Sequence, residues 1–352
     1  MMPVSRIPAG DVKRVIVLCI GRLGDLIVAT PLLAALRARL PQARIALLTG
    51  ERGEDAARLI TDADERLCVR RWTSPLSNLA LAWRLLSGRD DLLLDLNPAF
   101  SRTAWLLAKL SRCRFKLTFK KGRGNAAYTH HIHPPGEAEH MLARYRRLAD
   151  ALGASYEPRL RVSIPEGEDA AARDALAAHG LDGGGLLVGV FPGNFKKFDN
   201  RWPRRKFAEL LKKASAAEGV KCFLLLGPGE EAKAQRILSK MGRSLPVVGP
   251  LSLARTAALL RRIDLLVTNA TGTAHLAVAV GTPTFSILGG YTKAVWMYPA
   301  PGQEALSGSG FPRHFSVASP SWSSCRDVRV EDAWTGLQQA LDYCRSRKGA
   351  AA

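Results

Sequence analysis

The feature that most constrains the fold is an alternation of short, continuously apolar runs with amphipathic stretches, which occurs twice along the chain. In the first half, apolar runs at 15–20, 43–50 and 91–96 alternate with segments of helical periodicity. The same order resumes at 186–191 and continues to 282–289. Runs whose centres are continuously apolar indicate parallel strands buried on both faces, with helices covering the sheet. The sequence therefore predicts an α/β protein with two doubly wound parallel-sheet domains.

The length and one linker define the predicted domains. At roughly 100–200 residues per domain, the 352 residues fit two domains, separated by a stretch with prolines and acids at 157–168. We expect an N-terminal domain at 1–165 and a C-terminal domain at 166–325, facing each other across a cleft. The remaining residues, 326–352, are expected to form a helix that packs back on the N-terminal domain. Ligands in such sheets bind beyond the carboxyl ends of the strands, so the loops there are the places to search.

The charge and the cysteines limit the classes of protein. Lys and Arg number 51 and Asp and Glu 31, a net charge of +20. This excess suggests a polyanionic partner, namely nucleic acid, an anionic membrane surface or a phosphorylated glycan, although a genome that favours arginine would also produce it. No apolar run approaches the roughly 20 residues of a membrane-spanning helix. Six cysteines without a C-x-x-C pair argue against disulfides and zinc and fit a cytoplasmic protein.

The first candidate site is the loop that follows the first apolar run, Gly21-Arg22-Leu23-Gly24-Asp25. Its glycines allow a tight turn and a close approach of a ligand. Asp25 falls near the start of a helix, where two interpretations remain open: a carboxylate that caps the helix, or a general base at the mouth of the cleft. The spacing differs from G-x-G-x-x-G, which weighs against a nicotinamide dehydrogenase.

Two further loops carry groups that suit phosphates. The loop at 192–203 contains a glycine, two lysines and an arginine before a helix, and fits either a phosphate site or a solvated basic loop. It lacks the ending of a Walker-type loop. The stretch 268–277 places Asn269, Thr271 and Thr273 at a helix start, which suits a diphosphate. His275 lies on an apolar helix, as a ligand or as a buried structural residue.

Other conspicuous residues allow simpler interpretations. The run at 112–123 interleaves aromatic residues with cations, as surfaces for nucleic acid, phosphorylated acceptors or lipid head groups do. No helix-turn-helix, RNP or zinc-finger pattern supports nucleic acid. The three histidines at 130–133 lack further metal ligands at a known spacing, so no metal site is expected. Trp72, Trp83 and Trp105 fall in apolar stretches and are expected in the core.

Taken together, these segments resemble glycosyltransferase family 9, the bacterial lipopolysaccharide heptosyltransferases, which have the GT-B fold of two Rossmann-like domains. The resemblance extends over nearly the whole chain. The segments that carry it are G-R-L-G-D-L-I-V-A-T-P-L-L-A-A-L-R (21–37), D-L-L-L-D-L (91–96), F-P-G-N…R-W-P…F-A-E-L (191–210), L-L-G-P-G-E-E (225–231), V-T-N-A-T-G-T-A-H-L-A-V-A-V-G-T-P (267–283) and C-R-D-V-R-V-E-D-A-W (325–334).

The resemblance implies an inverting, metal-independent transfer of heptose from ADP-L-glycero-D-manno-heptose to a Kdo or heptose of the lipopolysaccharide inner core. Asp25 would be the general base, and Arg22 and Arg123 would contact the acceptor. Glu230 would bind the ribose. The residues implied in donor binding, with no cofactor or metal, are Gly24, Gly193, Asn194, Lys196, Lys197, Asn200, Glu230, Asn269, Thr271, Gly272, Thr273 and His275.

The same resemblance implies a cytoplasmic, monomeric protein that binds a nucleotide sugar and an anionic glycolipid or glycan acceptor. It would lie peripherally on the inner membrane and bind no specific nucleic acid. The sequence departs from the family pattern at Ala270, where the pattern has Asp, and at Asn200, where it has Lys. Lys196 or Lys197 could supply the missing ammonium. These departures leave two alternatives: a family 9 transferase with another donor and acceptor, or a catalytically silent nucleotide-sugar-binding protein.

Overall fold

The computed structural model describes residues 7–70, 75–193, 201–300, 303 and 312–350. The chain divides into two compact units, Met1–Ser163 and Ile164–Ala352. The elements of the first unit alternate from strand to helix and are β1 (Arg14–Cys19), α1 (Leu23–Arg39), β2 (Arg44–Gly50), α2 (Glu54–Arg58), β3 (Glu65–Val69), α3 (Pro75–Ser87), β4 (Leu92–Asp95), α4 (Arg102–Leu110), β5 (Phe115–Phe119), β6 (His130–Ile132) and α5 (Met141–Ala151).

The second unit repeats this alternation after one additional helix. Its elements are α6 (Glu168–Ala177), β7 (Leu186–Phe191), α7 (Arg204–Ala216), β8 (Val220–Leu225), α8 (Glu231–Met241), β9 (Val247–Val248), α9 (Leu253–Arg262), β10 (Leu265–Asn269), α10 (Gly272–Ala279), β11 (Thr284–Leu288), α11 (Gly290–Trp296), β12 (His314–Ala318) and α12 (Val330–Gly349).

Each unit contains one six-stranded sheet, and all pairs of neighbouring strands are parallel. The strand order is β3-β2-β1-β4-β5-β6 in the first sheet and β12-β11-β10-β7-β8-β9 in the second, which is the same topology twice. The order reverses between β1 and β4 and between β7 and β10. In open α/β sheets, loops at such reversal points form ligand sites. The predicted α/β class with two doubly wound sheets is confirmed.

The central strands are formed by the runs that lack polar interruptions. Every residue of β7 and five of the six residues of β1 are buried, as expected for strands covered on both faces. Phe223, Phe285, Ile16 and Leu18 are among the largest side chains that are fully buried. Each sheet therefore builds its own hydrophobic core.

The C-terminal helix α12 packs within the second unit. The apolar face of α12, with Val330, Ala333, Leu337 and Leu341, is buried in the core of the second unit together with residues of β7 and β10. It contacts α7 and four strands of the second sheet. The apolar positions of α12 thus cover the second sheet, and α12 belongs to the second unit.

The basic run at 112–123 contains a strand that the sequence analysis did not predict. Phe119 and Leu117 of β5 are fully buried and Phe115 is half-buried, so these side chains pack inside the first unit instead of forming an aromatic surface. The expectation for Trp83 was also wrong, because its side chain is 73% exposed on α3. Trp105 is half-buried against the core, and Trp72 lies outside the described residues.

Two further features of the structure concern the cysteines and the length of the apolar helices. All six cysteines are free thiols, five of them buried. Of the helices in the described part of the chain, none is long and apolar enough to cross a bilayer.

Candidate active site at the carboxyl edges of the two sheets

Asp25 lies at the start of α1, directly after the carboxyl end of the central strand β1. Its Oδ2 accepts a hydrogen bond of 2.7 Å from the backbone N–H of Arg22, the residue before the helix. Its Oδ1 accepts no hydrogen bond from any residue that the structure describes, and the side chain is half-exposed. The carboxylate is therefore oriented by one oxygen, while the other is open to a ligand. Both interpretations of Asp25 fit this geometry, because one oxygen stabilises the helix start and the other is available as a base.

Gly21 is required by the position of Asp25. A Cβ atom at Gly21 would lie 2.5 Å from the Cβ of Asp25 and 2.8 Å from its Oδ2, which is closer than non-bonded atoms approach. Any side chain at residue 21 would displace the carboxylate from the edge of the sheet. The spacing of Gly21 and Asp25 is therefore explained by packing around the carboxylate.

The thiol of Cys19, the last residue of β1, lies in the same region. Burial, together with the negative charges of Asp25 and Asp95, raises the pKa of this thiol.

A buried charged cluster lies beside this loop and was not anticipated. Asp95 ends β4 opposite Leu18 of β1, and its side chain is 0% exposed. Its Oδ2 is 2.5 Å from both the Nζ of Lys121 and the hydroxyl of Tyr128, and its Oδ1 accepts two hydrogen bonds from Asn97. Burial lowers the pKa of Lys121 even with Asp95 in contact, and burial raises the pKa of Tyr128.

This cluster fixes the loop that carries Arg123. Lys121, whose side chain is 2% exposed, anchors the loop after β5 to the end of β4, and its backbone N–H donates to Asn125 Oδ1. Arg123 follows two residues later and is exposed, as is Arg22 after β1. Both predicted acceptor-binding arginines thus follow strands of the first sheet at its carboxyl edge.

In the second unit, β10 and α10 place the predicted donor residues at the carboxyl edge of the second sheet. Asn269 ends β10 and is fully buried; its amide donates to the carbonyl of Pro192 at 3.4 Å. Its Oδ1 has no hydrogen-bond partner within the described part of the chain. Thr271 caps α10, accepting from the backbone N–H of Ala274 at 3.3 Å. The first N–H groups of α10, at Gly272 and Thr273, therefore point to the same edge as Asn269.

Glu230 packs directly on the backbone of Gly193. A Cβ atom at Gly193 would lie 2.3 Å from the Oε1 of Glu230, so only glycine leaves room for this carboxylate. Glu230 is 2% exposed; it is 2.6 Å from Lys233 Nζ and accepts from the backbone N–H of Gly227 at 3.1 Å. The sequence analysis did not identify Lys233 as the partner of Glu230. Its position three residues after Glu230, which precedes α8, offered a signal for this pair.

His275 is buried within an aromatic group. Its Nδ1 is 2.9 Å from the hydroxyl of Tyr298, and its ring packs on Tyr298 and Trp296 with centroids 5.7 Å and 6.0 Å away. Of the two interpretations of His275, this geometry favours a structural residue that holds α10 in place. Tyr298 lies 23 residues away in sequence, and no local pattern indicated this pairing.

The loop after β7 is only partly described. Four predicted donor residues, Asn194, Lys196, Lys197 and Asn200, lie outside the described residues. Beyond them, Trp202 is buried and its Nε1 donates to the carbonyl of Val328 at 2.9 Å. Lys206 Nζ donates to the same carbonyl at 2.8 Å. The R-W-P and C-R-D-V segments that were quoted for the family resemblance thus contact each other in the second unit.

The described residues at the carboxyl edges of the two sheets do not form a metal site. Within the ranges that the structure describes, no group of three or more His, Cys, Asp or Glu side chains is arranged to hold a metal ion. His131 Nε2 instead lies 3.1 Å from the carbonyl of Asn125, and His130 Nδ1 lies 2.8 Å from the hydroxyl of Thr129.

Comparison with known structures identifies the same architecture elsewhere. The chain matches a glycosyltransferase family 9 protein from Veillonella parvula with a TM-score of 0.79 and 21% identity over 94% of this chain and 97% of that one. It matches E. coli ADP-heptose LPS heptosyltransferase II with a TM-score of 0.72 and 19% identity over 93% and 98%. For E. coli heptosyltransferase WaaC with ADP the values are 0.67 and 18% over 94% and 99%. None of the curated protein sequences gives a match.

At these identities the structural likeness concerns the fold, and it confirms the GT-B class. The sequence model of glycosyltransferase family 9 (heptosyltransferase) matches residues 79–308, about two thirds of the chain. This match includes the loops after β4, β7, β8 and β10, and the loop of Asp25 precedes its first residue. The chain belongs to glycosyltransferase family 9, the heptosyltransferases, and is a glycosyltransferase.

Proposed function

We propose that this enzyme transfers a heptose from ADP-L-glycero-D-manno-heptose to a Kdo or heptose residue of the lipopolysaccharide inner core, with inversion at the anomeric carbon and without a metal. The observation that carries the proposal is the geometry of Asp25, whose Oδ2 is fixed by the Arg22 N–H while its Oδ1 is open. A carboxylate held in one orientation at a sheet edge is suited to accept a proton from a hydroxyl.

The proposed reaction is a single displacement. Asp25 takes the proton of the acceptor hydroxyl as that oxygen forms a bond to the anomeric carbon. The bond between this carbon and the diphosphate breaks on the opposite side, and ADP departs with the electron pair. The start of α10 offers backbone N–H groups to the charge that develops on the diphosphate. The lysines of the loop after β7 would provide cationic charge for the same group.

The location follows from the nature of the acceptor. We propose that the protein acts as a monomer on the cytoplasmic face of the inner membrane, bound peripherally to it. Arg22 and Arg123 would meet the negative charges of the acceptor, since both are exposed at the carboxyl edge of the first sheet.

A second candidate is a family 9 transferase with a different nucleotide sugar. Ala270 favours it, because this residue packs against a small apolar cluster formed by Ala274, Leu288 and Met297. At residue 270 an apolar side chain therefore replaces the carboxylate of the family pattern. Such a site would suit a donor sugar that has fewer hydroxyl groups than heptose.

Calorimetric titration with ADP, UDP, GDP and CDP, and then with ADP-heptose, distinguishes these candidates. The proposal predicts that ADP binds best and that the heptose tightens binding at least about tenfold, since a preformed sugar site adds hydrogen bonds. Preference for UDP or GDP would support the second candidate. Failure of every nucleotide to bind would contradict both candidates.

A further inference from the structure

Helix α3 presents two apolar faces, and one of them faces outward. On the inner face, Leu81 and Leu85 are buried in the core of the first unit. On the outer face, Leu76 and Leu79 are 80% and 64% exposed, and Trp83 and Leu86 continue the same stripe at helical spacing. Large apolar residues gathered on one exposed face mark an interaction surface.

No charged side chain interrupts this outer face. The only charged residue of α3 is Arg84, and its guanidinium is held at the side of the helix by Asp90, at 2.7 Å, and Glu65, at 3.4 Å. The outer positions are otherwise filled by Ala80 and serines. Water therefore meets an uninterrupted apolar stripe along about three turns of α3.

Helix α4 extends this surface and adds positive charge. It packs beside α3 on the same core. Its exposed residues Arg102, Leu106 and Lys109 recur at positions i, i+4 and i+7 and therefore lie on one face. Lys109 Nζ lies 4.3 Å from the ring centroid of Trp105. An apolar residue thus lies between two cations on the outer side of α4.

The cations that lie close to the apolar stripe in sequence are not neutralised by any described residue. Between Asp95 and Glu137 the chain contains eight Lys and Arg and no acid. Arg89, Arg102, Lys109 and Arg112 are exposed, and none forms an ion pair with another residue of the described ranges. Several other arginines of this unit do form one, for example Arg37 with Asp64 at 2.6 Å. We call the apolar stripe (Leu76, Leu79, Trp83, Leu86 and Leu106) with these four cations the α3/α4 surface.

We propose that the α3/α4 surface docks the protein on an anionic lipid bilayer. Leucines and a tryptophan on one face of a helix enter the boundary between head groups and acyl chains, while surrounding cations contact anionic head groups. A second copy of this chain fits less well, because two such surfaces would oppose their cations without acids between them. The inference rests on the proposed function in one respect: an acceptor in a membrane would explain why the protein docks on a bilayer.

The experiment uses the full chain and vesicles, without donor or acceptor. Wild-type protein should sediment with vesicles of phosphatidylethanolamine and phosphatidylglycerol, and much less with vesicles of phosphatidylcholine alone. The double variant Leu79→Glu/Trp83→Glu should bind at least about tenfold more weakly, because two carboxylates would enter the apolar boundary. Lys109→Glu should weaken binding about fivefold or more and only at low salt, as expected for a lost head-group contact.

Trp322→Glu is the matched control, since Trp322 is another exposed tryptophan, 45% exposed in the second unit. It should bind vesicles like the wild type, and circular dichroism and ADP affinity should show that every variant is folded. The inference is overturned if wild type ignores anionic vesicles, or if the double variant binds them like wild type. It is also overturned if the wild type is a dimer and the only effect of the double variant is to convert it to monomers. The α3/α4 surface would then bind a second copy of this chain. Vesicle binding without heptose transfer would instead contradict the proposed function alone.

Discussion

The Asp25→Asn variant should lose about 10²–10⁴-fold in transfer rate while binding ADP almost as the wild type does. The expected loss follows from the open Oδ1 of Asp25, which is the proposed proton acceptor, because an amide oxygen is far less basic than a carboxylate. Asparagine keeps an oxygen that can accept from the Arg22 N–H, so the start of α1 should be preserved. The measurement is kcat with ADP-heptose and a Kdo-containing acceptor, beside calorimetry with ADP.

Asp55→Asn is the matched control, because Asp55 is an exposed aspartate in the first turn of another helix of the same unit. It should transfer heptose at the wild-type rate. If Asp25→Asn retained activity within a few fold, Asp25 would be a capping residue and the base would have to be sought elsewhere. If it lost ADP affinity as well, its effect would be structural, and the assignment would fail for that reason.

The Lys121→Met variant should be about 3–5 kcal/mol less stable than the wild type, because it leaves the fully buried carboxylate of Asp95 without its cation. Met has a similar length and adds no polar group, so the loss of charge is the main change. Urea unfolding followed by circular dichroism measures the difference. The loop that carries Arg123 should loosen in the same variant, since Lys121 anchors it.

Two further variants separate charge from packing. Adding Asp95→Asn to Lys121→Met should recover most of the lost stability, since replacing both members of a buried pair is often close to neutral. Arg58→Met breaks an exposed pair with Glu54 and should cost about 1 kcal/mol or less. An equal, small effect of Lys121→Met and Arg58→Met would contradict the importance of the buried cluster.

Much of the fold could be predicted because its strands are fully buried. The runs that became β1, β2, β4, β7 and β10 each contain at least three consecutive apolar residues, and this pattern has few structural solutions. The strand β5 was missed because its apolar residues alternate with Lys116 and Thr118 within a basic stretch. Trp83 was assigned to the core because it lies in an apolar stretch, and large apolar side chains are normally buried. The exposed outer face of α3 departs from this rule.

The site could be predicted where a local motif encodes it. Asp25 and Thr271 are placed at helix starts by their own loops, and Gly21 and Gly193 each make room for a carboxylate. The contacts that hold these loops join distant segments, such as Asp95 with Tyr128 and His275 with Tyr298. Local spacing carries no signal of such pairs, so only the structure reveals them.

The placement of α12 has a consequence for biosynthesis. Along the chain, this helix follows every other described element of the second unit, and its buried residues complete the core of that unit, between the sheet and α7. During translation the first unit can therefore fold as soon as it leaves the ribosome, whereas the core of the second unit can close only after α12 has left the exit tunnel. Ribosome-bound chains stalled just after Gly349 should have a protease-resistant first unit and a second unit that is cut readily. Equal resistance of both units would show that α12 is dispensable for that core.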